Sequence, residues 1–200
     1  MKKVIAIDLN DVIRAFSHQF NVIYKKFIDH DLELEDKDIT NFDYSKVFPF
    51  LSKSEYESFR YYDYPYELYA RAEMCDPKLT GVMNNWIMNV LGDLDEVPEV
   101  IIVSPFEMGL TIQSTLSFLA AHGIRQREYY FPVDSMTIWD RCDVLITANP
   151  NLIANVPEGK SVIKIETPYN ENVEAEHTFK TFMDVMQDEN EILIKLIENE

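Results

Sequence analysis

Polar side chains that could act together follow three short apolar runs of the sequence. They are Asp8 and Asn10, Ser104, and the stretch Thr147 to Asn149. A carboxylate that meets a hydroxyl and side-chain amides can take part in nucleophilic or metal-assisted chemistry on a bound ligand. These residues form a site only if the fold brings the three points together, so the elements that precede them decide the question.

The apolar runs are continuous rather than alternating, which is typical of strands buried on both faces of a parallel sheet. Strands are predicted at 4–7, 100–103, 127–131, 144–146 and 162–165, the last of the chain. Helical spacing predicts helices over 14–29, 78–91 and 110–122, and a helical pattern closes the chain over 173–197. This alternation predicts a three-layer α/β fold with a central parallel sheet. Because ligands bind at the carboxyl ends of such strands, the polar residues are expected to lie close together there.

The segment 14–75 is predicted to be a small helical cap, inserted after the first strand within a single domain that spans 1–200. It is rich in Tyr and Phe, and Pro49 and Pro65 break it into short helices. Its aromatic side chains are expected to form a small core of their own.

The balance of charges limits the choice of partner. Lys and Arg number 18 and Asp and Glu 35, which gives a net charge of −17. This charge argues against direct binding to nucleic acid or to an anionic membrane, because both are polyanions. It favours solubility, or a surface that meets a basic partner. No apolar run approaches the ~20 residues of a membrane span, and two cysteines make no disulfide framework, so a cytoplasmic location is expected.

In order and spacing, these features resemble the motifs of the haloacid dehalogenase (HAD) superfamily of phosphotransferases. That superfamily opens with an apolar strand and Asp-x-Asp, here Asp8-Leu9-Asn10, and its second motif is a Ser or Thr at the end of the next strand, here Ser104. Its last motif follows a later strand, here Thr147-Ala148-Asn149-Pro150. The most similar branch is the 5′(3′)-deoxyribonucleotidases, whose Pro-Tyr-Asn loop is matched by Pro168-Tyr169-Asn170.

The resemblance implies a HAD-like Rossmannoid fold and a role for each matching residue. Asp8 takes the place of the carboxylate that attacks phosphorus and forms an aspartyl phosphate. Ser104 and Asn10 take the places that bind the phosphoryl group. Mg²⁺, the metal that the family uses, would be held by Asp8, the backbone carbonyl of Asn10, and Asn149.

Several positions depart from the family pattern. Asn10 replaces the second acid of the first motif, and an amide cannot exchange a proton near neutral pH. Thr147 and Ala148 stand where the family supplies carboxylates to the metal, and 134–140 lacks the Lys that the family places there. Of the catalytic set, Asp8 and Ser104 remain.

The sequence therefore predicts a 5′-nucleotidase-like protein of the HAD fold that is catalytically weak or inactive and acts as a binding or interaction component. Its expected ligand is phosphate or a nucleoside monophosphate, and its surface could bind a protein partner. Two alternatives stay open. One is an active Mg²⁺-dependent 5′(3′)-deoxyribonucleotidase, and the other is an acidic nucleic-acid mimic that binds a basic partner.

Overall fold

The computed structural model describes residues 2–94, 96–188 and 191–198. Its centre is a sheet of six parallel strands in the order β3-β2-β1-β4-β5-β6. The strands are β1 Val4–Asp8, β2 Glu99–Val103, β3 Glu128–Tyr130, β4 Val144–Thr147, β5 Ser161–Ile165 and β6 His177–Phe179. The predicted parallel sheet is confirmed, and its first strand lies in the middle.

Seven α-helices connect and cover these strands in the described part of the chain. They are α1 Phe16–Phe27, α2 Lys53–Ser58, α3 Leu79–Asn85, α4 Leu110–Ala121, α5 Pro150–Ala154, α6 Phe182–Met186 and α7 Ile192–Glu198. Wider π-helical turns occur at Phe59–Asp63, Tyr66–Ala70 and Trp86–Val90. Short 3₁₀ turns occur at Asp36–Asp38, Tyr44–Lys46, Leu91–Asp93, Ser135–Asp140 and Pro168–Asn170.

Both faces of the sheet are covered, as the continuous apolar strands require. Ile5 and Ile7 of β1 pack into the larger cluster of buried side chains on one face. Ala6, between them, points to the other face and joins a smaller cluster that contains Trp139 and Leu152. Alternate residues of the strand therefore pack into two hydrophobic layers on opposite faces of the sheet, and the predicted three-layer α/β architecture is confirmed.

The aromatic side chains of the segment 14–75 pack around Phe20 of α1. The centre of its ring lies 4.9 Å from that of Tyr44, 4.8 Å from that of Phe48 and 5.1 Å from that of Phe59. These rings belong to the same cluster as Ile5, so they extend the main core and do not form a separate one, contrary to expectation. The division of 14–75 from the rest of the chain as a cap stays a prediction.

The sequence-based prediction for the end of the chain is wrong in part. The strand at 162–165 is not the last, because β6 forms within the stretch predicted as helix. Residues of β6 alternate between half-buried and exposed, so this edge strand lacks the apolar run that identified β1, β2, β4 and β5. Two short helices, α6 and α7, replace the single helical pattern, and residues 189 and 190 of that prediction lie outside the described residues.

Among the described residues, none of the helices combines the length and the apolar character needed to cross a bilayer.

Candidate functional site

The polar residues predicted from sequence meet at the carboxyl edge of the sheet. Asp8 lies beside Val103 in the register of β1 and β2, so Ser104 follows on the neighbouring strand. On the other side, Ile7 lies beside Ile146 of β4, and the next residue is Thr147. The Thr147 hydroxyl donates a hydrogen bond to Asp8 Oδ2 at 2.7 Å. The structure thus brings Asp8, Ser104 and Thr147 to adjoining strand ends, whereas their roles stay predictions.

Asp8 is a buried carboxyl group with little compensation. Its side chain and backbone together are 3% exposed, and Oδ1 has no hydrogen-bond partner among the described residues. Burial raises the pKa of Asp8 to about 7, although the hydrogen bond from Thr147 and the nearby backbone of Asn10 and Leu9 act in the opposite direction. At neutral pH a large share of Asp8 is therefore protonated.

The side chain of Asn10 accepts hydrogen bonds from a buried arginine that was not predicted from the sequence. Arg14 has no solvent exposure, and its Nε and Nη2 both donate to Asn10 Oδ1, at 3.0 and 2.6 Å. Nη2 also donates to Glu107 Oε1 at 2.7 Å, and Nη1 donates to Thr115 Oγ1 at 2.7 Å. The guanidinium is thus fixed by an amide, a carboxylate and a hydroxyl, as a buried charge requires.

Ser104 belongs to the same network. Its hydroxyl donates to Glu107 Oε1 at 2.5 Å, and it accepts a long hydrogen bond of 3.5 Å from Asn10 Nδ2. An anion placed against Ser104 would meet the Glu107 carboxylate at the same point. Both residues predicted to bind phosphate, Asn10 and Ser104, therefore have their polar atoms engaged within the protein.

Asp11 ties the loop after β1 to two other parts of the chain. It is one of the non-glycine residues with left-handed backbone, at φ 58°. Its carboxylate accepts hydrogen bonds from the Ser17 backbone at 2.8 Å and from the hydroxyls of Ser17, Tyr44 and Tyr169 at 2.5, 3.3 and 2.9 Å. Burial raises the pKa of Asp11, and these donors oppose that effect. The Tyr of the Pro168-Tyr169-Asn170 motif thus closes a hydroxyl cluster on Asp11.

Asn149 supports the loop after β4. Its Oδ1 accepts from the Asn151 backbone N–H at 3.0 Å and caps α5. Its own backbone N–H donates to Thr147 Oγ1 at 3.0 Å. Because Oδ1 is engaged, the orientation of the amide is fixed, and Nδ2 is buried with no partner among the described residues.

The donor set at this edge does not fit Mg²⁺. The ion prefers an octahedron of oxygen ligands that includes carboxylates. Of the groups predicted to hold it, Asp8 alone is a carboxylate, the second is the backbone carbonyl of Asn10, and Asn149 Oδ1 is used as a helix cap. Across residues 2–94, 96–188 and 191–198, no group of three or more His, Cys, Asp or Glu side chains is arranged to hold a metal ion.

A cavity of about 420 Å³ opens above this edge of the sheet. Asp8, Asn10 and Asn149 form part of its floor. Seven of its seventeen lining residues are aromatic, and the rings come from both the segment 14–75 and the loops after the strands: Phe16, Phe42, Tyr44, Tyr56, Tyr61, Phe106 and Tyr169. Phe106 has left-handed backbone at φ 66°, an unfavourable conformation for a bulky residue that holds its side chain at the cavity.

The fold of this chain is shared with solved structures. No family model matches the sequence, and a comparison with curated proteins gives no match. A protein described as a haloacid dehalogenase-like hydrolase from Burkholderia xenovorans LB400 superposes with a TM-score of 0.53 at 11% identity, covering 96% of this chain and 98% of its own.

A second solved structure also has a similar fold. The HAD-hydrolase YfnB from Bacillus subtilis, described with bound magnesium, has a TM-score of 0.52 at 10% identity and covers 94% of this chain and 99% of its own. Identities this low establish the fold alone. The chain therefore has the Rossmannoid fold of the HAD-like hydrolases, as the sequence motifs predicted.

Proposed function

We propose that this protein binds a small ligand at the strand edge of a HAD fold and transfers phosphoryl groups weakly or not at all. The observation that carries this proposal is the engagement of Asn10 and Ser104 by the buried Arg14–Glu107 ion pair. The positions that would receive a phosphoryl group are filled by the protein's own side chains.

Electrostatics at the Ser104 position oppose a phosphate. Phosphoryl transfer depends on positive charge and hydrogen-bond donors aimed at the phosphoryl oxygens. Here the Ser104 hydroxyl donates to a carboxylate. The guanidinium of Arg14 forms an ion pair with Glu107 and donates to Asn10. A dianion at this position would therefore meet a carboxylate and no free cation.

Acid–base help is also missing beside Asp8. Asn10 cannot exchange a proton near neutral pH, and positioned acid–base catalysis contributes about 10²- to 10⁴-fold in rate. The neighbouring carboxylate of Asp11 accepts hydrogen bonds from three hydroxyl groups and a backbone N–H. Since Asp8 itself has a pKa of about 7, the ionised form that attacks phosphorus is only partly populated.

The competing assignment is an active Mg²⁺-dependent nucleotidase, and a phosphatase assay separates the two. Purified protein is incubated with Mg²⁺ in large excess and with a panel of nucleoside monophosphates or p-nitrophenyl phosphate. Asp8→Asn tests the family nucleophile, and Asp140→Asn, an exposed carboxylate on the 3₁₀ turn Ser135–Asp140, is the matched control.

We expect phosphate release that is no faster in the wild type than in Asp8→Asn. Robust turnover that Asp8→Asn abolishes and Asp140→Asn leaves intact would reject the proposal in favour of the nucleotidase. The expected protein partner, including the nucleic-acid-mimic reading of the −17 net charge, stays a prediction.

A further inference from the structure

Apart from Asp8 on the floor and Arg60, the charged groups that line the cavity are matched within the protein. Lys53 and Glu57 form an ion pair of 3.5 Å at the exposed rim. Asp43 caps the 3₁₀ turn Tyr44–Lys46 and pairs with Lys46 at 3.6 Å. The carboxylate of Asp11 is held by three hydroxyl groups. None of these groups presents an unmatched charge to a ligand.

Arg60 is different. It lies on the π-helical turn Phe59–Asp63, is half-buried, and lines the cavity. Its Nε donates to the Tyr69 hydroxyl and its Nη1 to the Tyr56 hydroxyl, both at 2.8 Å. Within the described residues it forms no ion pair, and Nη2 donates no hydrogen bond to the protein. The cavity thus contains a guanidinium with one unused donor edge.

The aromatic rings around Arg60 limit the directions from which a ligand can approach its free donor edge. The Arg60 Cζ lies 5.5 Å from the centre of the Phe16 ring and 5.2 Å from that of Tyr61, and both rings line the cavity. Stacked rings and two tyrosine hydroxyls hold the guanidinium in place. An anion must therefore approach in the plane of the guanidinium, while the rest of the ligand packs on aromatic side chains.

We infer that the cavity binds a small planar aromatic monocarboxylate, with its carboxylate on the free edge of Arg60 and its ring among the aromatic side chains. The inference rests on the proposed function and names the ligand class for the same cavity. One unmatched cation suits one negative charge. A cavity of about 420 Å³ lies in the size range of small-molecule sites, which are mostly apolar with few polar groups.

The carboxylates of the cavity explain why a monoanion is preferred to a phosphate monoester. Asp8 lies on the floor and the Glu107 carboxylate occupies the Ser104 position. Because repulsion grows with the charge of the ligand, these carboxylates oppose a dianion more strongly than a monoanion. The ligand is then held at the segment 14–75, away from the strand ends where a phosphoryl group would sit.

Three ligands that share one ring system test these requirements on the wild-type protein. They are 2-naphthoate, its neutral analogue 2-naphthamide, and 2-naphthyl phosphate, which also reports hydrolysis through fluorescent 2-naphthol. Dissociation constants are measured by titration calorimetry at pH 7.5. We expect 2-naphthoate to bind at least about tenfold more tightly than either analogue, as a charge-assisted hydrogen bond implies.

Two variants locate the carboxylate. Arg60→Gln is expected to weaken 2-naphthoate binding by about 10- to 100-fold and to leave 2-naphthamide unchanged. The matched control is Arg71→Gln, because Arg71 is exposed, stacks on Tyr66 and lies outside the cavity lining. Its dissociation constants should equal those of the wild type.

Equal affinity of the wild type for 2-naphthoate and 2-naphthamide, or no binding of either, overturns the inference whether or not Arg60→Gln folds. Tightest binding of 2-naphthyl phosphate without hydrolysis also overturns it but leaves the proposed function standing. Hydrolysis of 2-naphthyl phosphate that Asp8→Asn abolishes rejects the proposed function itself.

Discussion

At the carboxyl edge of the sheet, the buried polar groups on the β2 side of β1 and those on the β4 side differ in how fully they are hydrogen-bonded. On the β2 side, Arg14 binds Asn10 and Glu107, and Ser104 joins them. On the β4 side, the one side-chain hydrogen bond that Asp8 accepts from the described residues comes from Thr147. The polar groups of the β2 side bind one another around the Arg14 cation, apart from Glu107 Oε2. On the β4 side, Asp8 Oδ1 and the Asn149 amide nitrogen have no hydrogen-bond partner in the described part of the chain.

Under the proposed function, this difference means that polar residues at a strand edge can keep their places without binding an anion. The residues of the β2 side still stand at the expected strand ends. Their donors and acceptors now serve the fold, because a buried guanidinium needs several partners to be tolerated. These side chains do not fill the cavity above Asp8.

The largest effect is expected from breaking the β2 side. Arg14→Met leaves Glu107 as a buried carboxylate without its cation, so the free energy of unfolding should fall by about 3–5 kcal/mol. Urea unfolding followed by tryptophan fluorescence measures this. Arg14→Met combined with Glu107→Gln should recover part of the loss. Arg71→Met, at an exposed arginine, is the control, and a similar small loss in both single variants would contradict the assignment.

The β4 side should respond to pH in a defined direction. The pKa of Asp8 rises from an ordinary 3.8 to about 7, so the unfolded chain loses this proton at lower pH than the folded protein does. Stability therefore falls as pH rises from about 4 to 7. Asp8→Asn lacks this group, and its free energy of unfolding at pH 8 should exceed that of the wild type by up to about 4 kcal/mol.

That advantage of Asp8→Asn should shrink to less than about 1 kcal/mol at pH 4, because Asp8 is then protonated in the folded protein and about half protonated in the unfolded chain. Unfolding measured at pH 4, 6 and 8 shows the trend. Asp140→Asn, at an exposed carboxylate, should give a difference from wild type that does not change with pH. A constant difference for Asp8→Asn would mean that Asp8 is ionised throughout.

Adding carboxylates tests whether the edge can regain a metal. Asn10→Asp with Thr147→Asp should lower the melting temperature without Mg²⁺, because new charges lie beside Asp8. Mg²⁺ at ten times its dissociation constant should restore about 1.4 kcal/mol. Thr147→Asp alone should give most of this response, since Arg14 would pair with the carboxylate that Asn10→Asp introduces.

A charge-matched control carries Asn41→Asp and Thr178→Asp, both at exposed positions. Its melting temperature should respond to Mg²⁺ no more than that of the wild type. A large and equal response of all three proteins would mean that the native edge already binds the ion.

The smallest effect concerns the backbone on the β4 side. Asn149→Ala removes the cap of α5, which should lower the free energy of unfolding by about 1 kcal/mol. Asn149→Ser keeps a capping oxygen and should lose only a few tenths of that amount. If both variants lose the same, the cap contributes nothing measurable, and the position of Asn149 is set by packing alone.

The fold could be predicted because its strands are continuous apolar runs, and a parallel sheet imposes that pattern. Adjacent strands then place the residues after them side by side, which is why Asp8 and Thr147 meet. The edge strand β6 was not predicted because it is short and half-exposed, so its residues do not form an apolar run in the sequence.

The β2-side network could not be predicted from local patterns. Arg14 and Glu107 are 93 positions apart and meet only in the folded chain. An arginine near the start of a helix is usually exposed. The one signal was its setting, Val12-Ile13-Arg14-Ala15-Phe16, in which a charge interrupts an apolar run. Arg60 carried no such signal, because its significance depends on which groups around it remain unpaired.

The central place of β1 in the sheet has a consequence for synthesis of the chain. Val4 to Asp8 pair with Glu99 to Val103, which are made 95 positions later. At translation speeds of about 5–20 residues per second, this strand waits roughly 5–20 s for its first partner. Both of its edges stay unpaired and apolar during that time, and such edges promote aggregation. The nascent chain is therefore most vulnerable before β2 leaves the ribosome.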